Sequence, residues 1–195
     1  MNRRPAKPAS AGPVGVVRII GGHWRGTKLP VADRQGLRPT SDRVRETLFN
    51  WLQPMLHGAR VLDLFAGTGA LGLEALSRGA EAAVLVERDQ ALAASLRQVA
   101  AKLPGGERAT VVCADALGWL RDAPDVFDLA FVDPPFAGDL WRPVLAAVEN
   151  RLADEAWLYV ESPPEADAEP GPGWRLHREG RTREVRYALY RRQRD

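Results

Sequence analysis

Apolar positions in the first sixty residues fall into two short runs and one helical stripe. Val16 to Ile20 is a β-rich run ending in Gly21-Gly22, and Trp24 to Val31 reads as its return strand, so a small hairpin is predicted. Gly36 to Pro39 reads as a loop. Ser41 suits a helix N-cap, because Val44, Leu48, Trp51, Leu52 and Met55 follow at helical spacing before Leu56 to Ala59 break the pattern.

From Arg60 the period changes. Strands are predicted at Val61 to Phe65, Ala82 to Val86, Ala109 to Cys113, Val126 to Val132 and Ala156 to Val160. Helices are predicted between them at Ala70 to Arg78, Gln90 to Leu103, Ala116 to Arg121 and Leu140 to Leu152. Ser162 to Gly173 is a Pro/Glu/Gly-rich loop, and Trp174 to Arg178 with Glu184 to Tyr190 form a closing antiparallel pair. Strands that are apolar throughout imply a mostly parallel sheet covered on both faces, an α/β fold with an antiparallel edge strand. Ligands of such sheets sit beyond the carboxyl ends of the strands. Acids gather there: Asp63 within the first strand, then Glu87, Asp115 and Asp133 after the second, third and fourth.

Composition narrows the class. The chain has 195 residues, 45% hydrophobic and 27% charged, as expected of one globular domain. A single cysteine, Cys113, allows neither an internal disulfide nor a zinc site, fits a reducing cytoplasm, and is expected to be a buried strand residue. No apolar run approaches the ~20 residues that cross a bilayer, so no membrane association is expected. Met1 to Pro13 is basic, lacks an apolar segment and reads as a disordered tail. The expected organisation is a tail over 1–15, a hairpin and helix over 16–58, and a catalytic domain over 59–195. Charge is segregated: residues 1–60 carry a balance of +8, 61–170 of −11 and 171–195 of +5. Basic ends suit a polyanionic partner and an acidic middle suits a cationic ligand.

Two motifs carry chemistry. In Asp63-Leu64-Phe65-Ala66-Gly67-Thr68-Gly69-Ala70-Leu71-Gly72, the glycines allow a tight strand-to-helix turn and close backbone approach to a ligand. Gly67, Gly69 and Gly72 satisfy the dinucleotide fingerprint, but Asp63 beside the loop would repel a pyrophosphate and welcome an ammonium or sulfonium. Glu87, followed by Arg88, suits ribose hydroxyls, and Asp115-Ala116 suits an adenine amino group. In Asp133-Pro134-Pro135-Phe136, the prolines remove backbone donors, leaving the Asp133 carboxylate and the Pro134 carbonyl as acceptors for one NH₂ group. Phe136 offers a flat face for a base. Tyr159 and Glu161, at the end of the fifth strand, stand where a pocket rim would be.

These motifs resemble those of S-adenosylmethionine-dependent amino-methyltransferases that carry an (Asp/Asn)-Pro-Pro-(Tyr/Phe) sequence. The N-terminal half sharpens the likeness. Arg18-Ile19-Ile20-Gly21-Gly22-His23-Trp24-Arg25-Gly26 and the stretch from Leu37 to Leu52 closely resemble the bacterial RsmD family, over about Arg18 to Tyr190. The resemblance implies a seven-stranded Rossmann-like fold and a monomer. It implies methyl transfer to the N2 amine of one guanine in 16S ribosomal RNA, within an assembled or assembling small subunit. Arg18, Arg25, Lys28, Arg38, Arg43 and Arg45 are the candidate RNA contacts, because arginine pairs bidentately with phosphates. His23 and Trp24 read as packed hairpin residues more readily than as stacking platforms. No metal is required.

Three rival readings fit parts of the same sequence. An NAD-dependent oxidoreductase explains the glycines and Glu87 but gives Asp133 to Phe136 no purpose. A non-catalytic RNA-binding assembly factor would not need the acids. An adenine-N6 or protein-glutamine methyltransferase shares the motif, though those enzymes often carry Asn at the position of Asp133.

Overall fold

The change of hydrophobic period near Arg60 coincides with a change of architecture in the computed structural model, which describes residues 15–31, 41–136 and 138–193. Residues 1–14 of the expected tail and the loop at Gly36 to Pro39, with Arg38, lie outside the described residues, and Gly15, expected in the tail, opens the first strand. Strands β1 (Gly15–Arg18) and β2 (Lys28–Val31) form an antiparallel hairpin with Arg18 opposite Lys28. Trp24, expected in the return strand, sits instead in the turn between them. Helix α1 (Asp42–Leu56) starts where the Ser41 hydroxyl accepts a hydrogen bond from the Val44 amide at 3.3 Å.

The remaining elements alternate: β3 (Arg60–Asp63), α2 (Ala70–Ser77), β4 (Ala82–Glu87), α3 (Gln90–Ala100), β5 (Ala109–Cys113), α4 (Ala116–Asp122), β6 (Phe127–Val132), α5 (Trp141–Val148), β7 (Leu152–Ser162), β8 (Trp174–Arg181) and β9 (Arg186–Arg192). They build one seven-stranded sheet in the order β5-β4-β3-β6-β7-β9-β8. The first five strands run parallel, whereas β9 pairs antiparallel with both β7 and β8. The expected mostly parallel Rossmann-like sheet is therefore present.

Alternation along each strand divides the core. Val61, Leu85, Leu129, Phe131, Tyr159 and Leu189 face α1 and α2 in one buried cluster. Leu62, Val86, Ala130, Val132, Leu158 and Val160 face α4 and α5 in the other. Full burial of each large apolar side chain contributes about 1.5–3 kcal/mol. Val17, Ile19, Trp24, Leu29 and Val31 belong to the same cluster as Val61, so one core runs across the boundary at residues 58 and 59.

Several expectations are corrected. Cys113 is exposed, because β5 is the edge strand of the sheet. Strand β7 begins at Leu152, where a helix had been expected to continue, and α3 ends at Ala100, before Leu103.

The N-terminal segment is fastened to α2 by buried polar groups. The Glu74 carboxylate accepts hydrogen bonds from the amides of Ile20 and Gly21 and from Arg78 Nε, each at 2.7 Å. The Ser77 hydroxyl donates to the Gly21 carbonyl at 2.6 Å and accepts from the Trp24 amide at 2.9 Å. Gly22 adopts φ +74°, and a Cβ there would collide with the Ser77 carbonyl, so only glycine allows this approach. The Trp24 indole closes the contact by donating to the Pro104 carbonyl at 3.0 Å.

Candidate active site

The carboxyl ends of β3 and β6 lie side by side at the point where the chain changes direction. From β3 the connections run outward to β4 and β5, and from β6 they run the other way to β7. A crevice at such a switch point is where ligands of open α/β sheets bind. Asp63 ends β3 opposite Phe131 of β6, and Asp133 lies two residues past Phe131.

On the β3 side the turn is drawn in by its own hydrogen bonds. The Leu64 amide donates to the Phe131 carbonyl at 3.2 Å, and the Ala66 amide to the Val86 carbonyl at 3.0 Å. Gly67 and Gly69 take φ +52° and +78°, and α2 begins directly after. A Cβ on Gly69 would strike the Leu96 side chain. Asp63 reaches back across the turn, where its Oδ2 accepts from the Gly72 amide at 2.9 Å. Burial pushes its carboxyl from 3.8 up to about 7, against the pull of the Gly72 and Phe65 amides and with added push from Glu87. Glu87 ends β4, and its two oxygens accept from the Gly67 amide at 2.9 Å and the Asp89 amide at 2.8 Å. Phe65 is half-buried, Ala66 and Thr68 are buried, and Arg88 is exposed. Asp115 is exposed and caps α4, its Oδ2 accepting from the Gly118 amide at 2.9 Å, while Ala116 is buried beneath it.

On the β6 side the motif is presented differently. Asp133 is half-buried, Pro134 buried and Pro135 exposed, and Phe136 is 41% exposed, unusual for an aromatic side chain. The Phe136 ring packs against Trp141 with centroids 6.0 Å apart. Trp141 Nε1 donates to the Glu161 carbonyl at 2.8 Å, and the Tyr159 hydroxyl donates to Glu161 Oε2 at 2.9 Å. Burial, then the charges of Glu161 and Asp133, push the Tyr159 phenol well above its ordinary value. Trp141 is a participant that sequence reasoning missed, because an apolar residue at a helix start carries no distinguishing signal.

The basic residues separate into two groups. Arg18, Arg25, Lys28 and Arg43 are exposed. Arg45 departs from expectation: it is 0% exposed, with NH2 donating to Asp42 at 2.6 Å and to the Arg18 carbonyl at 2.9 Å, and with Glu74 3.8 Å from NH1. It joins the hairpin to α1 inside the protein, where it cannot meet phosphate.

A parallel sheet with a glycine turn and acids at its carboxyl rim, ending β6 in Asp-Pro-Pro-Phe, defines a Rossmann-like methyltransferase. The chain belongs to the family described as Conserved hypothetical protein 95, whose model matches residues 17–191, and its resemblance to the RsmD family stands. It is 50% identical over 190 residues to Ribosomal RNA small subunit methyltransferase D of Escherichia coli strain K12, covering 96% of this chain and 95% of that protein. It is 42% identical over 181 residues to the protein of the same name from Haemophilus influenzae, covering 90% and 94%. The solved structure of yhhF from Escherichia coli superimposes with a TM-score of 0.83 at 48% identity, covering 93% of this chain and all of that one.

Proposed function

We propose that this protein transfers the methyl group of S-adenosylmethionine to the N2 amine of a guanine in 16S ribosomal RNA. The observation that carries the reading is the position of Asp133 to Phe136 at the tip of β6, beside the Asp63 turn of β3. The 50% identity to small-subunit methyltransferase D supports the substrate.

The niche suits a cationic cofactor. Asp63 is buried with its carboxyl held near neutrality, and a neighbouring positive charge would relieve that burial cost. Asp63, Phe65, Ala66, Gly67, Thr68 and Gly69 form the turn side of the binding site. Glu87 and Arg88 take the ribose end, and Asp115 and Ala116 the adenine end. When bound, the cofactor supplies an electrophilic methyl carbon on sulfonium. The guanine amine is a poor nucleophile, because its lone pair is delocalised into the ring. Asp133 and the Pro134 carbonyl accept hydrogen bonds from its two N–H groups and orient it, Asp133 takes the proton that the methylated nitrogen sheds, Pro135 keeps the loop rigid, and Phe136 stacks on the base. Alignment of this kind supplies about 7–11 kcal/mol of a barrier.

Arg18, Arg25, Lys28 and Arg43 hold RNA phosphates, since the acid-lined crevice repels them. The protein acts as a monomer on the assembled or assembling subunit. Among the described residues no helix is long and apolar enough to cross a membrane. Incubation of small subunits from a strain lacking the gene with labelled S-adenosylmethionine tests the reading. One N2-methylguanosine in 16S RNA by mass spectrometry is expected, and label on adenine, on protein or nowhere would refute it.

A further inference from the structure

The tip of β7 carries a carboxylate that the cofactor turn and the Asp133 motif do not include. Glu161 is only 4% exposed, a burial that a charged group tolerates when donors meet it. Its backbone is held by the Trp141 indole and its side chain by the Tyr159 hydroxyl. Strand register sets its direction. In the parallel β6–β7 pair, Phe131 lies beside Tyr159 and Val132 beside Val160. Paired residues share a face and side chains alternate, so Tyr159 and Glu161 project on the Phe131 side of the sheet. Asp133 follows Phe131 by two residues and lies close enough to Tyr159 for its charge to act on the phenol. Trp141, which fixes the Glu161 backbone, also packs on Phe136. One indole therefore ties the aromatic face of the motif to this second acid.

We propose that Glu161 selects the base, its carboxylate accepting the N1–H of the guanine whose N2 amine Asp133 and Pro134 hold. This rests on the guanine-N2 reading above. Guanine presents N1–H and N2–H₂ side by side as donors, whereas the adenine N1 is an acceptor. A carboxylate opposite N1 attracts the first and repels the second. Tyr159 is a positioning residue that holds the Glu161 rotamer without meeting the base. Sites built to receive a hydrogen bond reject analogues that lack the donor far more strongly than apolar pockets reject a change of shape.

The test uses 2-aminopurine, which keeps the exocyclic N2 amine but has an acceptor at N1. Small subunits are reconstituted with 16S RNA carrying guanine or 2-aminopurine at the target position. The wild-type protein is expected to prefer guanine in kcat/KM by about 100-fold or more. Glu161→Gln places an amide that can donate at that position, so the ratio should fall below about tenfold as guanine is methylated more slowly and 2-aminopurine faster. Tyr159→Phe should fall between, with cofactor affinity unchanged. A ratio unaltered in a Glu161→Gln protein that folds and binds S-adenosylmethionine normally would overturn the proposal. So would a wild-type ratio near one, whatever the variants do. If the wild-type protein methylates no guanine at all, the guanine-N2 reading fails instead, and the two failures are distinct.

Discussion

Asp63 and Glu87, on one side of the switch point, meet different partners from Glu161 on the other. On the β3–β4 side, Asp63 and Glu87 accept hydrogen bonds from backbone amides of Gly72, Gly67 and Asp89. On the β6–β7 side, two prolines remove amides from the loop, and Glu161 is met by a phenol. Acids met by the backbone form with the turn itself, so that niche is complete once the strand-to-helix connection folds. It suits a ligand that never varies. Acids set by side chains can change without moving the backbone, which suits the reading of a substrate. The contrast fits the division of labour proposed above, in which one side holds the cofactor and the other reads the base.

The largest expected effect breaks the frame that both sides share. Glu74→Ala removes a fully buried carboxylate that accepts from Ile20, Gly21 and Arg78, and takes one of two neighbouring carboxylates from buried Arg45, leaving Asp42 alone to balance it. Loss of one partner from a buried ionic network typically costs about 3–5 kcal/mol. Urea unfolding should show a loss of this size, and a change below about 1 kcal/mol would mean that the N-terminal segment is held by its apolar contacts alone.

A smaller effect sharpens the cofactor side. Because burial raises the Asp63 carboxyl to about 7 from 3.8, the folded protein holds a proton between those values that the unfolded chain has released. Through this group, stability falls as pH rises from 3.8 towards about 7 and is level above it. A cationic ligand has the opposite preference, because it favours the ionised carboxylate. S-Adenosylmethionine affinity should therefore rise with pH towards about 7 and level off above it, by at most about tenfold per unit. Asp63→Asn should weaken binding about 100-fold, roughly 2.7 kcal/mol, at pH 8 and flatten the pH profile. Calorimetry from pH 5.5 to 8 reads both, and a profile equally steep in the variant would assign the titration to another group.

Much of this was legible in the sequence because it is local. Strand-end acids follow apolar runs directly, and the glycine turn and the Pro-Pro step each force a backbone shape within a few residues. What was hidden is long-range or depends on the position of a strand in the sheet. Strand β5 is apolar enough to look central, yet sheet order puts it at the edge and exposes Cys113. Arg45 looks like its exposed neighbour Arg43, and only docking against Glu74 and the Arg18 carbonyl shows that it is internal. Gly21, Gly22 and Trp24 contact Glu74 and Ser77, more than fifty positions away, which no local period reveals. The same holds for the Trp141 bond to Glu161, between a helix start and a strand end.

The division of labour itself is tested most directly by Asp133→Ala, with cofactor affinity and turnover measured on one preparation. S-Adenosylmethionine affinity should stay within about twofold of wild type while methyl transfer to small subunits slows by about 10²–10³, the typical cost of losing one preorganised polar contact to the reacting group. Near-normal turnover, or a collapse of cofactor affinity together with turnover, would contradict it.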